Sequence, residues 1–88
     1  MKTLHQRTKE VLEKILDQAI DRQFELEVGI EIKEMMIMEA PDHESVPKIQ
    51  SVLNQEKFML DNQHRAIDIL QRKLAELYEL ETDRVVKN

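Results

Sequence analysis

From Ile49 onward the apolar residues Ile49, Leu53, Leu60, Ile67, Leu70, Leu74 and Leu77 recur at alternating steps of three and four, interrupted at Glu56 and Gln63. Such spacing places one apolar stripe along an amphipathic helix. Val52, Met59, Ala66 and Leu80 flank the stripe. The outer face carries opposite charges four residues apart, Asp61/Arg65, Asp68/Arg72 and Arg72/Glu76. Each pair is worth only a few tenths of a kcal/mol, as expected of a solvated face.

The first arm opens with helical spacing as well. Thr3 followed by Gln6 fits a capping box, and Val11, Leu12, Ile15, Leu16, Ala19 and Ile20 keep a three-to-four step. From Phe24 the pattern changes to strict alternation: Phe24, Leu26, Val28, Ile30 and Ile32 are apolar, while Glu25, Glu27, Glu31 and Lys33 are charged and Gly29 is small. Alternation is the mark of a half-buried strand. A strand here would need a turn before it, however, and Asp21-Arg22-Gln23 contains no Gly, Pro or Asn; it would also need a pairing partner, and no other segment alternates. The arm is therefore expected to remain helical to about Met38.

On a helix, the alternation has a consequence for assembly. At about 100° per residue, Phe24, Val28 and Met35 fall on one side and Leu26, Ile30 and Ile37 on nearly the opposite side, with Ile32 and Met36 between them. One hairpin partner covers only one of these sides. The expectation is a second chain on the other, with Phe24, Val28, Ile30 and Ile32 at the dimer interface.

Both prolines lie in "EAPDHESVP", residues 39–47, which reads as a loop between arms of nearly equal length. The predicted fold is all-α: an antiparallel two-helix hairpin, with helix 1 over about 3–38, the loop over 39–47 and helix 2 over about 48–84. It dimerises into a four-helix bundle. All 88 residues form a single domain. Ser45 is the expected N-cap of the second helix with Pro47 in its first turn, and Arg84 and Lys87 suit its C-terminal end.

Composition narrows the chemistry. The chain has no Cys, one Gly, two Pro and three aromatic residues. Disulfides and Cys/His zinc sites are excluded, which leaves oligomerisation as the remaining means of stabilising so short a chain. There is no apolar leader and no run of 18 uncharged apolar residues, so neither secretion nor membrane spanning is expected and the cytosol is the default compartment. A formal charge of −5 without a basic cluster argues against duplex nucleic acid or anionic lipid as partner. Nucleophilic catalysis lacks its parts, with no Cys, one serine in the hairpin loop, Ser45, and no Gly-rich loop to hold a phosphate. No enzyme activity and no cofactor are predicted.

One alternative centres on His64. Bundles of hairpins hold di-iron sites through Glu and Glu-x-x-His sets, and the nearest approach here is Asp61-Asn62-Gln63-His64. If facing residue numbers sum to roughly 85, Asp21 and Glu25 lie near that level. An exposed His on a dimeric hairpin also suits phosphotransfer by analogy of fold alone. Against both, Asp61 falls on the outer face and His64 on a flank, so their side chains diverge.

Two features suit binding better. Residues 1–38 hold six basic and eight acidic side chains, residues 39–47 none and three, and residues 48–88 seven and seven, so the excess acid sits in helix 1 and the loop. Beside it lies "MMIM", Met35–Met38, whose flexible thioethers adapt to a partner surface. Met35, Met36 and Met38 with Glu39, Asp42 and Glu44 are the candidate partner-binding residues, for a protein with a basic or apolar patch. The expected function is a non-enzymatic interaction module, a small regulator, inhibitor, chaperone or assembly factor, working as a homo-oligomer.

Overall fold

The computed structural model describes residues 2–87, with side chains described through Leu80. Two helices run in order, α1 over Leu4–Glu39 and α2 over Val46–Lys87, and they pack antiparallel as a hairpin. No strand occurs among the described residues. The alternating stretch Phe24–Lys33 is helical throughout, as the absence of a turn before it predicts.

Local chemistry accounts for the ends. Thr3 is extended (φ −71°, ψ 163°); its Oγ1 accepts the Gln6 amide at 3.1 Å, and the Thr3 amide donates to Gln6 Oε1 at 2.9 Å. This is the capping box in full, satisfying donors that the first turn leaves without helical partners. At the other end Ala40 leaves the helix at φ −139°, ψ 67°. Pro41 follows it, and a residue before proline is disfavoured in the α region. The loop then closes through His43 N to Ala40 O and Val46 N to His43 O, at 3.2 and 3.1 Å. Imidazole Nδ1 of His43 accepts the Ser45 amide at 3.1 Å, and Ser45 O accepts the first amide bond of α2, from Ile49, at 3.0 Å. Arg84 and Lys87 lie outside the described side chains.

The seam between the helices is a heptad pattern. On α1 the seam runs Leu12, Leu16, Ala19, Gln23, Leu26, Ile30, Lys33 and Ile37, all buried or half-buried, with half-buried His5 and Lys9 before it and Glu13, Glu27 and Gly29 on its flanks; on α2 it runs from Val46 and Ile49 through Leu53, Glu56, Leu60, Gln63, Ile67, Leu70 and Leu74 to Leu77. Steps of three and four without exception are the geometry of an antiparallel coiled coil. The two interruptions in the α2 stripe are thus seam positions occupied by polar side chains. Glu56 forms an ion pair there with Lys33, at side-chain exposures of 16% and 27%, while Gln63 Nε2 donates to the Ala19 carbonyl at 2.9 Å. Ala19 is small, which lets the amide reach the backbone.

Gly29 belongs to this arrangement. A Cβ added at Gly29 would lie 2.7 Å from Glu56 Oε2, inside van der Waals contact. The helix accepts a residue that costs about 1 kcal/mol against Ala so that the carboxylate can reach across to Lys33.

Register follows the same geometry, with one refinement. Gly29 faces Glu56, numbers that sum to 85, yet side chains meet at larger sums: Lys33 with Glu56 (89), Glu27 with His64 (91) and Glu13 with Tyr78 (91). Helical side chains lean toward their own N-terminus. In an antiparallel pair both partners lean oppositely, so contacting side chains come from higher-numbered positions than facing backbones.

The hairpin is a rod of 68 × 22 × 15 Å with a radius of gyration of 19.7 Å. A compact 88-residue domain would have about 12 Å. Its accessible surface is 7143 Å². For a compact monomer of this mass about 5,400 Å² is expected.

Candidate functional site

The rod has two unlike flanks beside its seam. On one, Glu13, Ile20, Glu27 and Glu34 of α1 stand beside Gln50, Lys57, His64, Gln71 and Tyr78 of α2, by heptad position. Two polar contacts bridge the helices on this flank, Tyr78 Oη donating to Glu13 Oε1 at 2.7 Å and His64 Nε2 lying 3.9 Å from Glu27 Oε1, while within α1 Gln23 Nε2 donates to Glu27 Oε1 at 3.0 Å. Lys9 Nζ sits 4.7 Å above the Tyr78 ring. The opposite flank sets Ile15, Arg22, Gly29 and Met36 beside Val52, Met59, Ala66, Lys73 and Leu80, and it is mostly apolar. All of its large apolar side chains are exposed.

At the loop end the flanks open into two grooves. On the apolar flank Met36, Glu39, Ala40, His43, Ser45, Val46 and Ile49 line an open groove of about 530 Å³. The second, about 370 Å³, lies on the polar flank between Glu34, Ile37 and Met38 of α1 and Gln50, Leu53 and Lys57 of α2. The six predicted partner-binding residues are therefore not one patch. Met36 and Glu39 share the first groove, Met38 lines the second, and Met35 is exposed on the back of α1. Asp42 and Glu44 are exposed in the loop and line neither. His43, Val46 and Ile49 were not among the predicted site residues. The start of the α2 stripe was the signal that would have found the last two.

Of the four residues expected at the dimer interface, Ile30 is buried in the seam against α2, at 7% exposure. Phe24, Val28 and Ile32 are exposed, Phe24 at 67%. Leu26 and Ile30 are buried and Ile37 is half-buried, so the hairpin covers one apolar side of α1 and leaves the other open.

Among the described residues the carboxylate within 4 Å of His64 is Glu27, instead of Asp21 or Glu25. Glu25 pairs with Arg22 at 3.5 Å. Asp21 and Asp61 are exposed. Among the described residues no three His, Asp or Glu side chains converge to hold a metal ion, and no helix is long and apolar enough to cross a membrane. No family model, curated protein or solved structure matches this chain.

Proposed function

We propose that this protein is a non-enzymatic interaction module that self-associates and presents the loop end of its hairpin to a basic, partly apolar surface. One observation carries the reading: α1 is apolar on two sides and its own hairpin covers one. Leu4, Val11 and Ile32, on one heptad row of α1, are each more than half exposed, and large apolar side chains in such a row mark a surface that another chain covers. Adjoining them, the groove holding Met36, Val46 and Ile49 includes Glu39 but no Lys or Arg in its lining, so it favours a cationic, apolar occupant. Sedimentation equilibrium across the micromolar range tests self-association, with a dimer or higher oligomer expected. A well-folded monomer at every concentration would refute it.

A further inference from the structure

We infer that the occupant of the loop-end groove is the open end of a second copy, docked antiparallel along the apolar flank. The inference rests on the self-association proposed above and adds its direction and its face. Charge supplies the direction. Residues 1–19 and 70–88, the open half of the rod, carry eight Lys/Arg against seven Asp/Glu, net +1; residues 20–69, the loop half, carry five against eleven, net −6. The contrast sharpens at the ends. The open end holds Lys2, Arg7 and Lys9 with Glu10, which pairs with Lys2 at 2.8 Å, whereas residues 34–47 hold Glu34, Glu39, Asp42 and Glu44 with no Lys or Arg. Parallel copies would set two acidic loop ends side by side; antiparallel copies set each against the open half, net +1, and so avoid that repulsion within the roughly 8–10 Å over which charges act at physiological salt.

Apolar chemistry agrees with the charges. Leu4 is 81% exposed and Val11 56%, so the basic end is also apolar, the two properties that the groove at Met36 and Glu39 selects. Leu4, Val11 and Ile32 share one heptad row, and Ile15 and Met36 share the row beside it, on the flank away from the Glu13–Tyr78 and Glu27–His64 bridges. Gln18, Arg22 and Glu25, the last two paired at 3.5 Å, fall on these same rows, so the flank is apolar toward both ends and carries an ion pair at its middle, where antiparallel overlap sets it level with the same pair of the second copy.

Area is sufficient. The rod exposes about 1,700 Å² more than a compact monomer of its mass, and two copies each covering that much would bury about 3,400 Å², within the range of obligate homodimers. The back of α1, with Phe24 and Val28, stays outside this dimer.

The absence of Cys makes single-site labelling direct. Spin labels on Asp42→Cys, measured by double electron–electron resonance on the full chain, are expected to lie apart by close to the 68 Å length of the rod. Separation within the 22 Å width would mean a parallel dimer and overturn the inference while leaving self-association intact; loss of any dipolar signal together with a monomer by sedimentation would overturn both. Val11→Glu and Ile69→Glu, each on the exposed flank, should raise the dimer dissociation constant at least tenfold with helicity by circular dichroism retained. Should they leave it unchanged while Phe24→Glu raises it, the interface is the back of α1 and the assigned face is wrong.

Discussion

The ion pair between Lys33 and Glu56 gives the most direct test of the seam. It occupies heptad positions where a coiled coil ordinarily holds Leu or Ile, and its side chains are 27% and 16% exposed. An exposed pair contributes up to about 1 kcal/mol, and breaking a fully buried one costs about 3–5 kcal/mol. At intermediate burial, Glu56→Gln, which keeps the shape and removes the charge, should cost about 1–2 kcal/mol. For a domain of this size that lowers Tm by roughly 4–16 °C. Replacing both residues with Leu should act in the opposite direction, stabilising by about 1–4 kcal/mol, because two charges no longer lose water and the seam gains apolar area. Gly29 provides an internal control. Gly29→Ala alone places a methyl group 2.7 Å from Glu56 Oε2, so the helix-propensity gain of about 1 kcal/mol is offset by displacement of the carboxylate; in a Glu56→Ala background the full gain should return. Urea unfolding followed by circular dichroism, at one fixed protein concentration because association shifts apparent stability, measures every corner of the cycle. If Glu56→Gln changes stability by less than about 0.3 kcal/mol and the double Leu variant is destabilised, the pair behaves as a surface contact and the heptad assignment at these positions fails.

Three further outcomes are expected. Leu53→Ala, at a seam position 2% exposed, should cost about 2–5 kcal/mol in the same urea assay, and a loss below 1 kcal/mol would contradict the packing. Thr3→Ala removes the capping side chain and should cost about 1 kcal/mol, with faster hydrogen exchange confined to the first turn of α1; exchange unchanged there would mean the box is not formed in solution. Met36→Ser with Met38→Ser should leave helicity and monomer stability nearly unchanged, since the side chains are 48% and 81% exposed, while weakening association through the loop end. Unfolding on this double substitution would make the methionines core residues.

Much of the fold was legible in the residues because local rules agreed with one another. Thr3 and Gln6 stand at capping-box spacing, Pro41 and Pro47 bracket the loop, and the α2 stripe has one period from Ile49 to Leu77. Even the alternation at Phe24–Lys33 resolved correctly: a helix needs a reason to stop, and Asp21-Arg22-Gln23 offers none. That α1 is apolar on two sides followed from the same spacing. Which side its own hairpin covers depended on α2, since Leu26 and Phe24 are alike until a partner stands against one of them. Lys33 shows the limit most clearly. In the sequence it is the polar member of an alternating run, and only Glu56, 23 residues away and across the seam, makes it a seam residue. Gly29 reads as a weak point in the helix until that carboxylate occupies the space a Cβ would fill. The methionines read as one cluster because they are consecutive, but Met36 and Met38 lie about 200° apart around the helix and enter separate grooves. His64 lies beside Glu27 and away from Asp21 because leaning side chains shift the register of their contacts, an effect that exists only once two helices are placed side by side.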